Sequence, residues 1–414
     1  MKIDLPKYVK FIIDKIDEYG YEAFIVGGCV RDYILGIEPN DYDITTNANP
    51  NTIIDIFKDF KIIKTGIKHG TIGILIDKNI YEITTYRIES EYECNRRPKS
   101  VEFTSNIVDD LKRRDFTINA MAYNDKKGLI DKFGGALDLK NKVIKTVGNP
   151  DKRFNEDGLR IIRAIRFSAK LGFNIEEKTL NSIYKNYHIV KNISVERITE
   201  EVNKIIISEN PQNIILLYKV RIFKALGISY NFDNNEYLDL EKQLKIIRLI
   251  DELDYKLLML QYIINLKIKD YKQDDYIVNI LKYSNKTKSS INSLMEYMFI
   301  NENNLNRVDI KYILNKIGHS TFKRILNLKS IYYSKVLNET DKNIEEYIKI
   351  IDDIINNKEC YTIKDLKLDG NDLKEIGYKG YEIGQSLNYL LEEVIKNPKI
   401  NSKNILIKKL KDID

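Results

Sequence analysis

Cysteine and histidine are scarce: three of each in 414 residues. Cys29, Cys94 and Cys360 lie far apart with no Cys-x-x-Cys pair, and His69, His188 and His319 are equally scattered. A structural zinc site needs its ligands clustered, so this spacing argues against one and makes a reducing compartment the expectation. No apolar run approaches the ~20 residues that span a bilayer. The opening residues, MKIDLPKYVKFIIDKIDEYG, have no apolar core followed by a small-residue cleavage site. They read instead as an amphipathic helix with Leu5, Ile12, Ile13 and Ile16 turned inward and Gly20 at its C-terminal end. Charge of one sign is also nearly absent as a feature, since 67 basic face 61 acidic side chains for a net +6. That balance is compatible with a polyanionic partner without pointing to one. Together these absences predict a soluble, cytoplasmic protein.

The hydrophobic fraction is an ordinary 43%. The length is too great for one simple core, which predicts two to four domains. Two halves follow different patterns. Glu22–Val26, Asp41–Thr45, Thr71–Ile76 and Ile80–Tyr86 are short β-branched or aromatic runs bounded by Gly, Asn or Asp, which predicts strands. Val30–Leu35 and Thr52–Phe60 carry helical spacing between them. The first half is therefore expected to be α/β, built on a small sheet. After Pro150 strands nearly vanish, and Ile/Leu/Lys segments of helical period run on, broken at Glu209–Pro211, Asn301–Asn306 and Asn397–Pro398. There is no clear internal repeat and no flexible linker.

The strongest chemical signal is Gly27-Gly28-Cys29-Val30-Arg31-Asp32 followed by Asp41-Tyr42-Asp43. Side chains at i and i+2 of a strand share a face, so Asp41 and Asp43 would present two carboxylates side by side. Like charges so close are costly unless a cation sits between them, and a hard divalent ion such as Mg²⁺ accepts such oxygens together with phosphate oxygens. The glycine pair lets backbone N–H groups approach a triphosphate, with a helix beginning there and Arg31 close by. A lone Asp-x-Asp or Gly-Gly is usually only a turn. It is their order and context that give the metal reading its weight.

GGCVRDYILG followed by NDYDITT resembles the head domain of the class II tRNA nucleotidyltransferases and bacterial poly(A) polymerases, within the DNA polymerase β-like superfamily. The resemblance implies two metals on Asp41 and Asp43 that activate an RNA 3′-hydroxyl and bind the α-phosphate. Glu82, in Tyr81-Glu82-Ile83-Thr84-Thr85-Tyr86-Arg87, is the candidate third catalytic carboxylate or else a plain sheet-face Glu. Leu111 through Ala120 and Asp131-Lys132-Phe133-Gly134-Gly135 resemble the next two family motifs, with Lys132 where the family usually has Pro. Arg114 is suited to triphosphate oxygens. Asp115 and Asn119, four apart on an expected helix, are candidates to bracket a ribose. A mixed-charge surface helix is the plain alternative.

The most informative stretch is Arg153-Phe154-Asn155-Glu156-Asp157-Gly158-Leu159-Arg160-Ile161-Ile162-Arg163-Ala164-Ile165-Arg166-Phe167. Ile161, Ala164, Ile165 and Ser168 form one inward stripe, while Asp157, Arg160 and Arg163 step along the remaining surface. A carboxylate beside a guanidinium matches the amino donor and ring-nitrogen acceptor shared by cytosine and adenine, and mismatches guanine and uracil. EDGLRIIRAIRFSAKLGF is very close to the family's fourth motif, whose Asp and Arg act as a protein template for CTP and ATP. Ser194 to Ile198 with Glu200 and Glu201 resembles the fifth, which braces the neck helix. The candidate nucleotide-binding set is thus Gly27, Gly28, Arg31, Asp32, Arg114, Asp115, Asn119, Glu156, Asp157, Arg160, Arg163 and Arg166. The resemblance covers roughly residues 20–208 and implies a catalytic head over 1–141, a nucleotide-selecting neck over 142–208, a helical body over 209–330 and a tRNA-binding tail over 331–414.

Arg87 to Pro98 is polar and charged, as suits a mobile loop beside an active site. A full-length loop here resembles enzymes that add all of CCA, although Cys94-Asn95 replaces the usual Asp-Gly. Lys256–Lys267 lies where some relatives carry phosphohydrolase ligands but holds no histidine, so no such activity is expected. Asp369-Gly370 and the glycines of Gly377 to Gly384 precede a helix through Val394, which fits either a backbone-phosphate contact or an ordinary turn. In the family this tail grips the tRNA elbow. The expectation is template-independent addition of C, C and A to the tRNA 3′ end with CTP, ATP and Mg²⁺. The alternatives are a poly(A) polymerase, a partial CC- or A-adding enzyme, or a decayed RNA-binding protein.

Overall fold

Spacing of apolar residues builds the first helix. Val9, Ile12, Ile13 and Ile16 recur at three- and four-residue steps and are all buried in α1 (Lys7–Glu18). Pro6 precedes it, and Gly20 follows with φ of 80°, a conformation that suits glycine. Leu5 is buried as expected but lies ahead of the helix, not on it. The computed structural model describes residues 2–89, 92–93, 97–98, 100–228, 230, 232–268, 272–300 and 305–412. These fall into two compact units, 1–285 and 286–414.

The first unit opens with β1 (Ala23–Val26), α2 (Gly28–Ile34), β2 (Asp43–Thr46), α3 (Pro50–Ile56), β3 (Lys61–Ile63), β4 (Thr71–Ile76) and β5 (Asn79–Thr85). Next come β6 (Arg87–Glu89), β7 (Tyr92–Glu93), β8 (Arg97–Pro98) and β9 (Val101–Phe103), which pair as β6–β9 and β7–β8. The expected loop from Arg87 to Pro98 therefore contains short paired strands. Cys94 and Asn95 lie outside the described residues. After α4 (Ile107–Lys112), β10 (Ala122–Asn124) and β11 (Gly128–Ile130) complete a seven-stranded sheet of order β11-β10-β1-β2-β5-β4-β3. Only β2 and β5 run parallel within it, with Asp43 opposite Glu82; the other pairs are antiparallel.

The expected strands and helices are present, Thr71–Ile76 at its expected bounds and the others with shifted ends. The important shift is at Asp41, which precedes β2, so the alternation of that strand does not itself orient its side chain. Likewise α3 stops at Ile56, short of Phe60. The predicted helix carrying Asp115 and Asn119 is absent: α4 ends at Lys112 and only one 3₁₀ turn, Thr117–Asn119, follows.

Helices then take over: α5 (Gly135–Lys140), α6 (Pro150–Glu156), α7 (Leu159–Leu171), α8 (Glu177–Asn186) and α9 (Val195–Ile206), with β12 (Val143–Ile144) and β13 (Asn174–Ile175) as one small parallel pair. The stripe Ile161, Ala164, Ile165 and Ser168 is buried on α7 as the spacing predicts. The surface assigned to Asp157, Arg160 and Arg163 is not one surface. Asp157 sits in an extended break between α6 and α7, and Arg160 is only 8% exposed. The break is fixed by packing, since a Cβ on Gly158 would meet Ile189 Cγ2 at 2.7 Å.

The second unit is helical. Leu368, Leu373, Leu390, Val394 and Leu406 are among its buried core, drawn from helices that include Gly370–Glu375, Tyr381–Lys396 and Lys403–Lys411. The boundary expected after residue 330 falls inside the continuous helix His319–Tyr332, because the apolar period of that segment runs unbroken through it. Among the described residues no helix is long and apolar enough to cross a membrane.

Two adjacent glycines give a stability test. Gly134 has φ of 76° but open space around it, whereas a Cβ on Gly135 would stand 2.3 Å from the Thr117 carbonyl oxygen and 2.9 Å from Met121 Sδ. Gly135→Ala should cost about 1–3 kcal/mol as overpacking against backbone. Gly134→Ala should cost about 1–2 kcal/mol, from backbone conformation alone. Denaturant unfolding measures both, and only Gly135→Ala is expected to impair activity as well, because it displaces the segment bearing Asn119.

Candidate active site

A cavity of about 450 Å³ in the first unit is lined by Gly27, Gly28, Cys29, Arg31, Asp32, Asn40, Asp41, Asp43, Arg114, Asp115, Asn119, Arg163, Arg166, Phe167 and Lys170. The β1–α2 turn, the approach to β2, the 114–119 segment and one face of α7 each supply a wall. Five cationic and four acidic side chains share the lining, so the cavity is built for charged matter.

Gly27 makes the close approach possible. Its φ is 80°, and a Cβ there would stand 2.9 Å from Arg114 Nη1, so the glycine gives room to this guanidinium. Arg114 is anchored from behind, where its Nη2 donates to buried Asp110 at 3.3 Å. Arg31, buried on α2, donates from Nε to Asp32 at 2.8 Å and from Nη1 to Asn119 Oδ1 at 2.8 Å.

Asp115 is the hub of the far wall. Its Oδ1 accepts from the Phe116 N–H at 2.8 Å and from Asn119 Nδ2 at 3.0 Å. Its Oδ2 accepts from Arg163 Nε at 2.8 Å and Nη2 at 2.5 Å. Burial alone would raise this carboxyl, but Arg163 and the Asn119 amide outweigh it and hold it well below the usual carboxylate range. The expected ribose bracket is therefore, in this structure, a brace: Asp115 and Asn119 position Arg163 and Arg31.

Asp41 and Asp43 both face the cavity. Partial burial raises the Asp43 carboxyl, Arg114 opposes that, and Asp41 raises it further. Two carboxylates that disfavour each other's charge are a donor set suited to a hard divalent cation, with phosphate and water oxygens completing its shell. Glu82 is beside Asp43 in register on β5, on the same side of the sheet, but is exposed and does not line the cavity. Among the described residues no three acidic, His or Cys side chains stand close enough to hold a metal together.

Glu156, Asp157 and Arg160 also stand outside the cavity lining. Asp157 Oδ1 accepts from the Leu159 N–H at 3.0 Å, and its Oδ2 accepts from Arg197 Nη2 at 3.1 Å. Arg160 donates to Glu156 at 2.6 Å and to the carbonyls of Arg153 and Arg113 at 3.2 and 3.1 Å. The paired reading head expected from the spacing is thus divided between two sets of protein partners. Arg166, by contrast, faces the cavity and is braced by Glu201 of α9 at 2.5 Å.

Cys29, Asn40, Phe167 and Lys170 line the cavity without having been singled out from the sequence. For two of them a signal existed: Arg163, Arg166, Phe167 and Lys170 recur at i, i+3, i+4 and i+7, one face of α7. Cys29 is buried beside Asp43, and burial pushes its thiol up to about 11, so it is a packing residue at neutral pH.

Residues 23–145 match the family "Poly A polymerase head domain", and residues 172–227 match "Probable RNA and SrmB- binding site of polymerase A". Sheet, cavity and head-domain match together define a nucleotidyltransferase. A CCA-adding enzyme of Ligilactobacillus salivarius is 36% identical over 97% of this chain and 95% of its own length. Among solved structures, the Bacillus stearothermophilus CCA-adding enzyme in complex with CTP superposes with a TM-score of 0.78 at 25% identity, covering 99% of both chains. The Thermotoga maritima CCA-adding enzyme complexed with tRNA shares the fold at a TM-score of 0.64 and 22% identity, over 99% of this chain and 97% of that one. The chain belongs to the CCA-adding enzymes, a family of tRNA nucleotidyltransferases.

The Asp115–Arg163 pair predicts a pH signature. A carboxylate held below its unfolded pKa contributes stability that is fully present above about pH 4 and is lost as pH falls toward its folded value. Asp115→Asn should therefore cost about 1.5–3 kcal/mol at pH 7 by removing a charge-assisted pair. Urea midpoints of the two proteins should converge only below pH 4 and differ by a constant amount from pH 5 to 8.

Proposed function

We propose that this protein adds C, C and A to the 3′ end of tRNA without a nucleic-acid template, using CTP, ATP and Mg²⁺ in the cytoplasm. The observation that carries this reading is the meeting, in one cavity, of Asp41 and Asp43 with a wall of guanidiniums. The names of relatives matching over nearly the full chain support it, as do the CTP and tRNA bound in the solved structures of relatives.

Mg²⁺ held by Asp41 and Asp43 would polarise the α-phosphate and the RNA 3′-hydroxyl. The chain's own groups do the rest. Arg31, Arg114, Arg163 and Arg166 hold the triphosphate in line, each already fixed by a carboxylate or amide so that little ordering remains on binding. Glu82, beside Asp43 in the sheet, is the reserve carboxylate of this assignment.

Asp157 and Arg160 are assigned to the base. An acceptor and a donor match the Watson–Crick edges of C and A, and leave G and U facing like against like. Since Asp157 is held by Arg197 and Arg160 by Glu156, nucleotide binding has to exchange those partners for the base. The tail of the second unit is assigned to RNA, by way of the turn ahead of the helix Tyr381–Lys396, where Gly380 has φ of 52° and no side chain caps the first turn. At Asp369-Gly370 the local N–H groups are already claimed: Asp369 accepts from Asn371 and Asp372.

Two experiments test this reading. With tRNA lacking its 3′ end, Asp41→Ala and Asp43→Ala should each abolish nucleotide addition under Mg²⁺ while leaving tRNA affinity nearly unchanged. Near-normal rates in either folded variant would refute the metal assignment. Arg160→Ala should remove about 1.5–3 kcal/mol of discrimination, some ten- to a hundredfold, and raise UTP or GTP use relative to CTP. The measured quantity is the ratio of kcat/KM among the four nucleotides; an equal fall in all four would make Arg160 a structural residue.

A further inference from the structure

Three guanidiniums of the first unit converge on a single phenyl ring. The guanidinium carbons of Arg166, Arg31 and Arg163 lie 3.8, 5.2 and 5.4 Å from the centroid of Phe167. Each has its own carboxylate partner: Glu201, Asp32 and Asp115 respectively. The ring is only 4% exposed, and it meets Phe116 edge-to-face, with centroids 5.6 Å apart and planes at 76°. It is therefore fixed to the same segment that carries Asp115 and Asn119.

The cost of this arrangement is plain. Guanidiniums so close repel, and burial together with Arg163 pushes the Arg166 guanidinium down against the opposing pull of Glu201. Lys170, one turn further on the same face, is also pushed down by burial and by Arg31 and Arg166, against Asp32. What tolerates the crowding is the aromatic face, because a planar, weakly hydrated guanidinium is attracted to a ring quadrupole. A leucine at this position fills space but offers no such face.

We infer that Phe167 is the positioning residue that spreads Arg31, Arg163 and Arg166 into a fan matched to a polyphosphate chain. This rests on the reading of the cavity as the nucleotide site. The ring acts through the guanidiniums, and base choice lies elsewhere, so Phe167 governs affinity for the phosphate chain common to all nucleotides and not the choice among them. A charged wall with fixed spacing recognises the triphosphate before the base is read.

The test uses the full-length protein with inorganic tripolyphosphate, CTP and ATP as probes. Phe167→Leu should weaken tripolyphosphate binding about tenfold, equivalent to about 1.4 kcal/mol. KM for CTP and for ATP should rise by the same factor, with kcat and the CTP-to-UTP preference within about twofold of wild type. Phe167→Tyr keeps the aromatic face and should restore binding. General loosening of α7 would lower kcat and blur base preference together, and that result overturns the inference. In wild-type protein, ¹⁵N NMR should show the Arg166 guanidinium protons shifted upfield by the ring current. Unshifted protons overturn the inference even where the Leu variant folds poorly. Equal tripolyphosphate affinity in wild type and Phe167→Leu refutes the role of Phe167 alone, whereas no binding by wild type refutes the nucleotide reading of the cavity.

Discussion

The two-pronged contact of Arg163 with Asp115 ties α7 to the segment 114–119, and the site's geometry depends on it. Asp115 spends all of its hydrogen-bonding capacity on protein: one backbone N–H, one amide and two guanidinium donors. Through Asn119 the same network reaches Arg31 on the helix after β1. Elements from three distant parts of the sequence are thereby placed by one carboxylate. A buried charge is stable only when surrounded in this way, and the same completeness is what leaves the cavity wall little freedom.

The cavity's charge balance has a physical logic. Its four guanidiniums are each paired with a carboxylate, which offsets their mutual repulsion. Asp41 and Asp43 are the exception, two acids set near each other with only Arg114 as a partial counterweight. The basic wall is satisfied from behind while the acidic corner is left wanting charge. On the proposed assignment, a nucleotide accompanied by a divalent cation would correct the second imbalance without dismantling the first.

Much of this was legible in the sequence. The strand Thr71–Ile76 is found at its expected bounds, because β-branched alternation and flanking Gly and Asp agree there. The glycine pair, the two aspartates, Arg163 and Arg166 line one cavity, whereas Arg160 of the same helix does not. What local pattern misread was orientation. Asp115 and Asn119 are four apart, yet the chain between them forms a 3₁₀ turn held by tertiary bonds, and helical arithmetic does not apply. Asp157 and Arg160 are three apart, yet Asp157 is itself extended and α7 begins only at Leu159. The aromatic at 167 belongs to the same class of omission: its spacing places it on one face with Arg163, Arg166 and Lys170, but only packing brings Arg31 from α2 to join Arg163 and Arg166 on its ring.

The break at Asp157 has an evolutionary consequence. A side chain inside a helix inherits its direction from the phase of that helix, so changing its aim means disturbing every turn around it. Asp157 lies instead at a joint, aimed by one backbone N–H and by Arg197 from a neighbouring helix. Substitutions at 197 or at Ile189, where Gly158 rests, can re-aim it while the sheet that carries Asp43 stays untouched. On the proposed assignment of Asp157 to the base and Asp43 to the metal, base preference and bond formation would then be separately heritable traits of a single fold.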